Sequence, residues 1–123
     1  MYYFYQLVLP PNTSKINPVV MTMPVHAGLL SYIEVEFPGG CSGYAHTQIK
    51  YHSRQLLPFN PPGDLYGDSR IFKPDLNFPL TEPPHEFVAW GWNEDDTYQH
   101  IVSIGIMVQD TNKKSFAELL LEG

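Results

Sequence analysis

Five histidines, one cysteine and a few short acidic clusters are the residues in this chain that could do chemistry. A jelly-roll metal enzyme of the cupin kind sets two histidines one residue apart on a strand, followed by a carboxylate. His26, His46, His52, His85 and His100 contain no such His-x-His pair. His46 and His52 point the same way along an unbroken strand, but at ~3.3 Å per residue they stand ~20 Å apart and cannot share one ion. A metal site would have to be assembled from distant residues such as His26, His100 and Glu34. Structural or solvent-facing histidines are the simpler reading, and neither a metal nor a cofactor is expected.

The carboxylates fare similarly. Glu34 and Glu36 share one strand face ~7 Å apart, a separation at which paired acids can work on a glycosidic bond. Such pairs need an enclosing cleft with aromatic platforms, and a chain of 123 residues offers little depth. Asn93, Glu94, Asp95 and Asp96 could offer oxygens to Ca²⁺, without the Gly and distal Glu of a helix-loop-helix site. Asp64 and Asp68 could join them, or cap turns. Cys41, inside Gly39-Gly40-Cys41-Ser42-Gly43, is either a reactive thiol or a small residue suited to its turn. No phosphate-cradling glycine loop and no Gly-x-Ser-x-Gly elbow is present. No catalytic residue is assigned, and the chain reads as a non-enzyme.

Positioning these residues falls to strands. Val102, Ile104, Ile106 and Val108 alternate with Ser103, Gly105 and Gln109; Ile33, Val35 and Phe37 oppose Tyr32, Glu34 and Glu36. A period of two marks extended chain with one buried face. The same rhythm predicts strands over residues 2–9, 18–23, 30–37, 44–52, 69–73, 86–92 and 98–109, with extended chain at 76–81. Pro18 donates no ladder bond, so its segment starts there or lies on an edge. In 44–52, Ala45, Thr47, Ile49 and Tyr51 take the inner side, leaving His46, Gln48 and Lys50 to solvent or a neighbouring subunit. The polar run 93–97 between two β-rich segments predicts a hairpin. Six prolines between 60 and 85 make that stretch mostly loop. Ser115 and Glu118 have capping-box spacing, so 115–122 is the one helical candidate. Its Phe116, Leu119 and Leu120 must dock on this domain or on a neighbour. The expected fold is a single all-β domain over 1–123: a jelly-roll-like antiparallel β-sandwich of about eight short strands, with 110–123 a docking tail.

Totals narrow the partners. A net charge of −6, with the bases scattered, argues against nucleic acid and anionic membranes. No apolar run approaches the ~20 residues needed to span a bilayer. One cysteine cannot build an intrachain disulfide framework, so packing and backbone pairing must hold the fold. The location is left open between cytoplasm and exterior.

Eight Tyr, seven Phe and two Trp exceed the needs of so small a core. Tyr2, Phe4, Tyr32, Tyr44, Tyr66 and Tyr98 are candidates for exposure, and Trp90 with Trp92 falls on one strand face. Tyrosine-rich surface suits protein partners and also stacks on sugars. The partner-binding candidates are therefore Tyr2, Phe4, Tyr44, Tyr66, Trp90, Trp92, Phe116, Leu119 and Leu120.

Two blocks, Phe37-Pro38-Gly39-Gly40-Cys41-Ser42-Gly43 and Gly91-Trp92-Asn93-Glu94-Asp95-Asp96-Thr97-Tyr98-Gln99-His100, carry a family likeness. The pattern resembles the small β-sandwich accessory proteins of tailed bacteriophage virions, which decorate a capsid or sit at the head and tail. The resemblance is architectural, spans most of the chain, and transfers no functional residue. It implies a structural protein of the virion, a homotrimer or other symmetric homo-oligomer bound to a larger protein assembly. The alternative is a carbohydrate-binding module with Trp90, Trp92 and nearby tyrosines as its platform. A cupin-like metal enzyme comes third.

Overall fold

Apolar residues at every second position draw residues 1–110, the part that the computed structural model describes, into two antiparallel sheets packed face to face. The strands are β1 (Tyr2–Leu9), β2 (Val19–Pro24), β3 (Gly28–Phe37), β4 (Ala45–Tyr51), β5 (Arg54–Leu57), β6 (Leu65–Tyr66), β7 (Arg70–Phe72), β8 (Phe78–Leu80), β9 (Glu86–Asn93) and β10 (His100–Gln109). The first sheet runs β1-β10-β3-β7, with β8 also on β3; the second runs β2-β9-β4-β5, with β6 also on β4. Most links between consecutive strands pass from one sheet to the other, and the winding is that of a jelly roll. The described residues contain no helix. The expected helix over 115–122, with Phe116, Leu119 and Leu120, lies outside them, as does the tail from 111 onward.

Every expected strand forms. Val102, Ile104, Ile106 and Val108 are buried against Ile33, Val35 and Phe37, and Ala45, Thr47, Ile49 and Tyr51 face inward from β4. Each fully buried aliphatic or aromatic side chain is worth roughly 1.5–3 kcal/mol, so this slab is the main stabilising term. Leu30 also faces inward, three residues before Ile33, because the β3–β10 register shifts between Met107 and Val108 and Ser31 absorbs the extra residue. β2 begins just after Pro18 and forms an edge of its sheet. A Cβ on Gly91 would lie 2.7 Å from Leu7 and 2.8 Å from Leu9. Only glycine lets β1 settle this closely over β9.

One strand is added and one expectation is corrected. The short apolar stretch at Leu56-Leu57 is a strand, β5, folded onto β4 through a turn in which His52 has φ 57°. The run 93–97 is not a hairpin: β9 pairs with β2 and β4, whereas β10 pairs with β1 and β3. The reason is Asn93, whose side chain is fully buried where the two layers meet. Its carboxamide nitrogen donates to the Leu9 carbonyl at 3.1 Å and the Tyr98 carbonyl at 2.9 Å, while its oxygen accepts from the Asp95 N–H at 2.9 Å. The chain leaves β9 and is delivered to the opposite sheet.

Asn93→Asp keeps the shape but presents an acceptor to two carbonyls. An unsatisfied buried polar group costs about 1–3 kcal/mol, so urea unfolding should show a loss of about 3 kcal/mol or more. A variant as stable as the parent would remove the carboxamide from this role.

Candidate functional site

The outer face of the second sheet carries a densely bonded polar cluster. β4 and β9 pair so that His46 stands opposite Trp92 and Gln48 opposite Trp90, and β6 brings Tyr66 beside His46. The His46 ring stacks on Trp92, with centroids 5.2 Å apart and planes within 4°. Its Nδ1 lies 2.7 Å from Asp64 and its Nε2 2.6 Å from Glu94. Both contacts are hydrogen bonds together only when the ring carries two protons, since neither carboxylate oxygen donates when ionised. The imidazole thus ties β4 to the loop before β6 and to the loop after β9.

Trp90 and Trp92 do share the outward face, but neither is a bare platform. Trp92 is 4% exposed beneath His46, with the Lys15 ammonium 5.3 Å from its ring centroid. Trp90 is half-buried under Lys50, whose Nζ lies 3.6 Å from the ring centroid. Gln48, expected at the surface, is buried because its amide donates to the Pro62 and Gly63 carbonyls at 3.1 and 3.0 Å. Gln55 donates to Pro58 and Gly63 in the same way. The proline loop is fastened over its own sheet.

At the end of the sandwich a depression of about 420 Å³ lies between Gly40, Ser42 and Tyr44 on one side and Glu94, Asp96 and Tyr98 on the other. Both walls are fixed from behind. Asp68 accepts from the Gly40 and Ser42 N–H groups at 2.8 and 3.2 Å, so it caps the glycine turn. Asp95 accepts from the Thr97 N–H at 2.9 Å and bonds His100 at 2.9 Å. The Thr97 amide first, and His100 second, hold the Asp95 carboxyl below its ordinary range. Cys41 is buried, and burial pushes its thiol up, which leaves it a poor nucleophile.

The outer face of the first sheet is different in kind. Tyr2, Phe4 and Val8 from β1, Tyr32 from β3 and Ile71 from β7 are all exposed, Phe4 at 57%. A Cβ on Gly105 would clash with the Tyr2 hydroxyl, so the phenol lies flat across β10 at that glycine. The hydroxyls of Tyr2 and Tyr32 donate to the two oxygens of Glu34 at 3.1 and 2.9 Å. Burial, then the bond to Glu34, raises the Tyr2 phenol; for Tyr32 the bond comes first.

The expected exposure of Tyr2, Phe4, Tyr32, Tyr44, Tyr66 and Tyr98 is what the fold produces. Tyr2 and Phe4 stand together on one face, Tyr44 lies at the sandwich end, and Tyr66 joins the His46 cluster. His26, His100 and Glu34 do not converge: His26 meets Tyr3, His100 meets Asp95, and Glu34 takes two phenols. Among the described residues no three His, Cys, Asp or Glu are placed to hold a metal ion. The Asp64–His46–Glu94 and Asp95–His100 contacts had no sequence signal beyond residue type, because the partners meet through cross-sheet loops.

No protein-family model and no curated sequence matches the chain. Among solved structures it is similar to one described as "Crystal structure of PirA", at 16% identity with a TM-score of 0.36, over 85% of this chain and 94% of that one.

A carboxyl held low in the folded state stabilises above its unfolded value, about 3.9, and ceases to as pH falls through the folded value. The stability gap between the parent and Asp95→Asn, read from urea midpoints, should therefore be full at about pH 5 and shrink below about pH 4. A gap unchanged between those values would show that the Asp95 charge is not what holds the loop.

Proposed function

We propose that this protein is a non-enzymatic assembly subunit that meets other protein copies through the outer face of its first sheet. One observation carries the reading: Tyr2, Phe4 and Tyr32 stand exposed on the outer face of the first sheet, whereas on the second, which still exposes Val20 and Tyr66, the tryptophans are covered. On the second sheet, Lys50, His46, Lys15 and the 58–64 loop cover the tryptophans and Gln48. On the first, Tyr2, Phe4, Val8, Tyr32 and Ile71 are left bare around a glycine. Exposed aromatic side chains, grouped as Tyr2, Phe4 and Tyr32 are, suit association, although Gln6 and Glu36 are exposed on the same face. The likeness of the sequence to virion accessory proteins supports the same reading, with a homotrimer seated on a larger shell as its specific form.

Light scattering on the eluting protein should give a multiple of the 14.0 kDa chain, threefold for a trimer. Phe4→Glu, at an exposed position, should return the mass to that of one chain without lowering the melting temperature. A monomeric parent that turns over a small molecule would overturn the proposal.

A second reading is favoured by the depression at the sandwich end. Tyr44 and Tyr98 are exposed there, Tyr98 at 68%, beside the Glu94 and Asp96 carboxylates. Rings that cover sugar C–H faces next to acceptors for vicinal hydroxyls are the elements of glycan binding. The platform would be this tyrosine pair rather than Trp90 and Trp92. Calorimetric titration of a glycan panel should then show binding that Tyr98→Ala weakens at least tenfold; flat titrations would remove the reading.

A further inference from the structure

The two long sides of the sandwich are finished differently. Along β1 and β2 the gap between the sheets is plugged. Tyr3 pairs with the His26 ring at 2.8 Å, the Tyr5 hydroxyl donates to the Pro24 carbonyl, and the two phenol rings stack at 6.5 Å. Along the opposite side, between β5 and β6 of one sheet and β7 of the other, a mouth of about 460 Å³ opens between the layers. Leu57, Leu65 and Phe72 line its interior, with Phe59 at its rim. Its charged lining residues are Arg70 and Lys73; no carboxylate lines it, in a chain of net charge −6.

None of the ion pairs or side-chain hydrogen bonds seen among the described residues includes Arg70 or Lys73. The Arg70 guanidinium lies over the Phe72 ring, 4.4 Å from its centroid, an arrangement that leaves its N–H edge free for a bidentate acceptor. A peptide strand added to the sheet edge is a poor fit. β7 has three residues and is followed at once by Lys73-Pro74, the devices that blunt an edge against pairing. The volume is that of a small-molecule cleft, about 300–1,000 Å³.

We infer that this lateral mouth binds a single-chain amphiphile with a carboxylate head. Its tail runs between the sheets against Leu57, Leu65 and Phe72, and its carboxylate rests on Arg70 and Lys73. The inference is independent of the role given to the outer face of the first sheet.

Calorimetric titration of the full-length protein with dodecanoate, below its micellar concentration and at pH 8, tests it. One site per chain should saturate, and affinity should fall about fourfold per methylene on going to decanoate and octanoate. Dodecyltrimethylammonium should bind at least tenfold more weakly. The double variant Arg70→Glu/Lys73→Glu, changed only at exposed positions, should keep its circular dichroism melt and lose at least tenfold in dodecanoate affinity. Lys73→Glu alone should lose part of it. Absence of saturable binding, indifference to chain length, equal binding of the cation, or unchanged affinity after charge reversal would each overturn the inference. So would a dimer that dissociates on charge reversal without taking up dodecanoate, since the mouth would then belong to a second copy.

Discussion

A single carboxamide sits where the two layers of this protein are sewn together. Asn93 closes β9, yet its nitrogen holds the last carbonyl of β1 and the carbonyl of Tyr98, two residues before β10. Its backbone also exchanges both hydrogen bonds with Thr13, on the link from β1 to β2. Three chain crossings thus depend on one buried polar residue with every side-chain hydrogen-bonding group in use. Burying an amide is costly unless all its bonds are made, and here they are made only if each segment passes at the right place. The Asp95 turn, its bond to His100 and the tyrosine-lined depression all lie immediately downstream of that junction.

From this frame follows an unequal surface. On the second sheet, long cations and a proline loop have been laid over aromatic rings, a packing in which the apolar stems and the charge both contribute. On the first sheet the rings have no cover from the described chain. Two carboxylates share that face: the two phenols take one oxygen each of Glu34, whereas Glu36 stands exposed between Ser103 and Ile71. A partner on this face would therefore meet Glu34 already hydrogen-bonded and Glu36 still exposed.

Face membership was legible in the sequence because alternation is local: a side chain at an even offset from Ile33 in β3, or from Val102 in β10, must point the same way while the ladder is regular. Coverage was not legible. Gln48 was placed on the correct face and Trp92 on the same face as Trp90, but their burial comes from Pro62, Gly63, His46 and Lys15, which the register of distant strands brings there. Sheet membership was not legible either. A polar five-residue run can end in a hairpin or step across to the other layer, and residues 93–97 show no difference of composition between the two. What decides it is where the carboxamide of Asn93 finds carbonyls, a property of the assembled end. β5 and β6 escaped for a related reason. Two to four residues carry too little periodicity to read, and they become strands only because β4 offers an unpaired edge.

The habit of stepping from sheet to sheet has a kinetic corollary. Neither layer can be completed from a contiguous stretch of chain, since β1 must wait for β10 and β2 for β9. Loop-closure entropy is then lost before most of the rewarding contacts exist, the circumstance that makes folding slow. During that interval the alternating apolar strands are open to neighbouring chains. The short strands β5 to β8 and the frequent prolines are devices that limit such encounters, whereas the edge strand β1, eight residues long, is left without them.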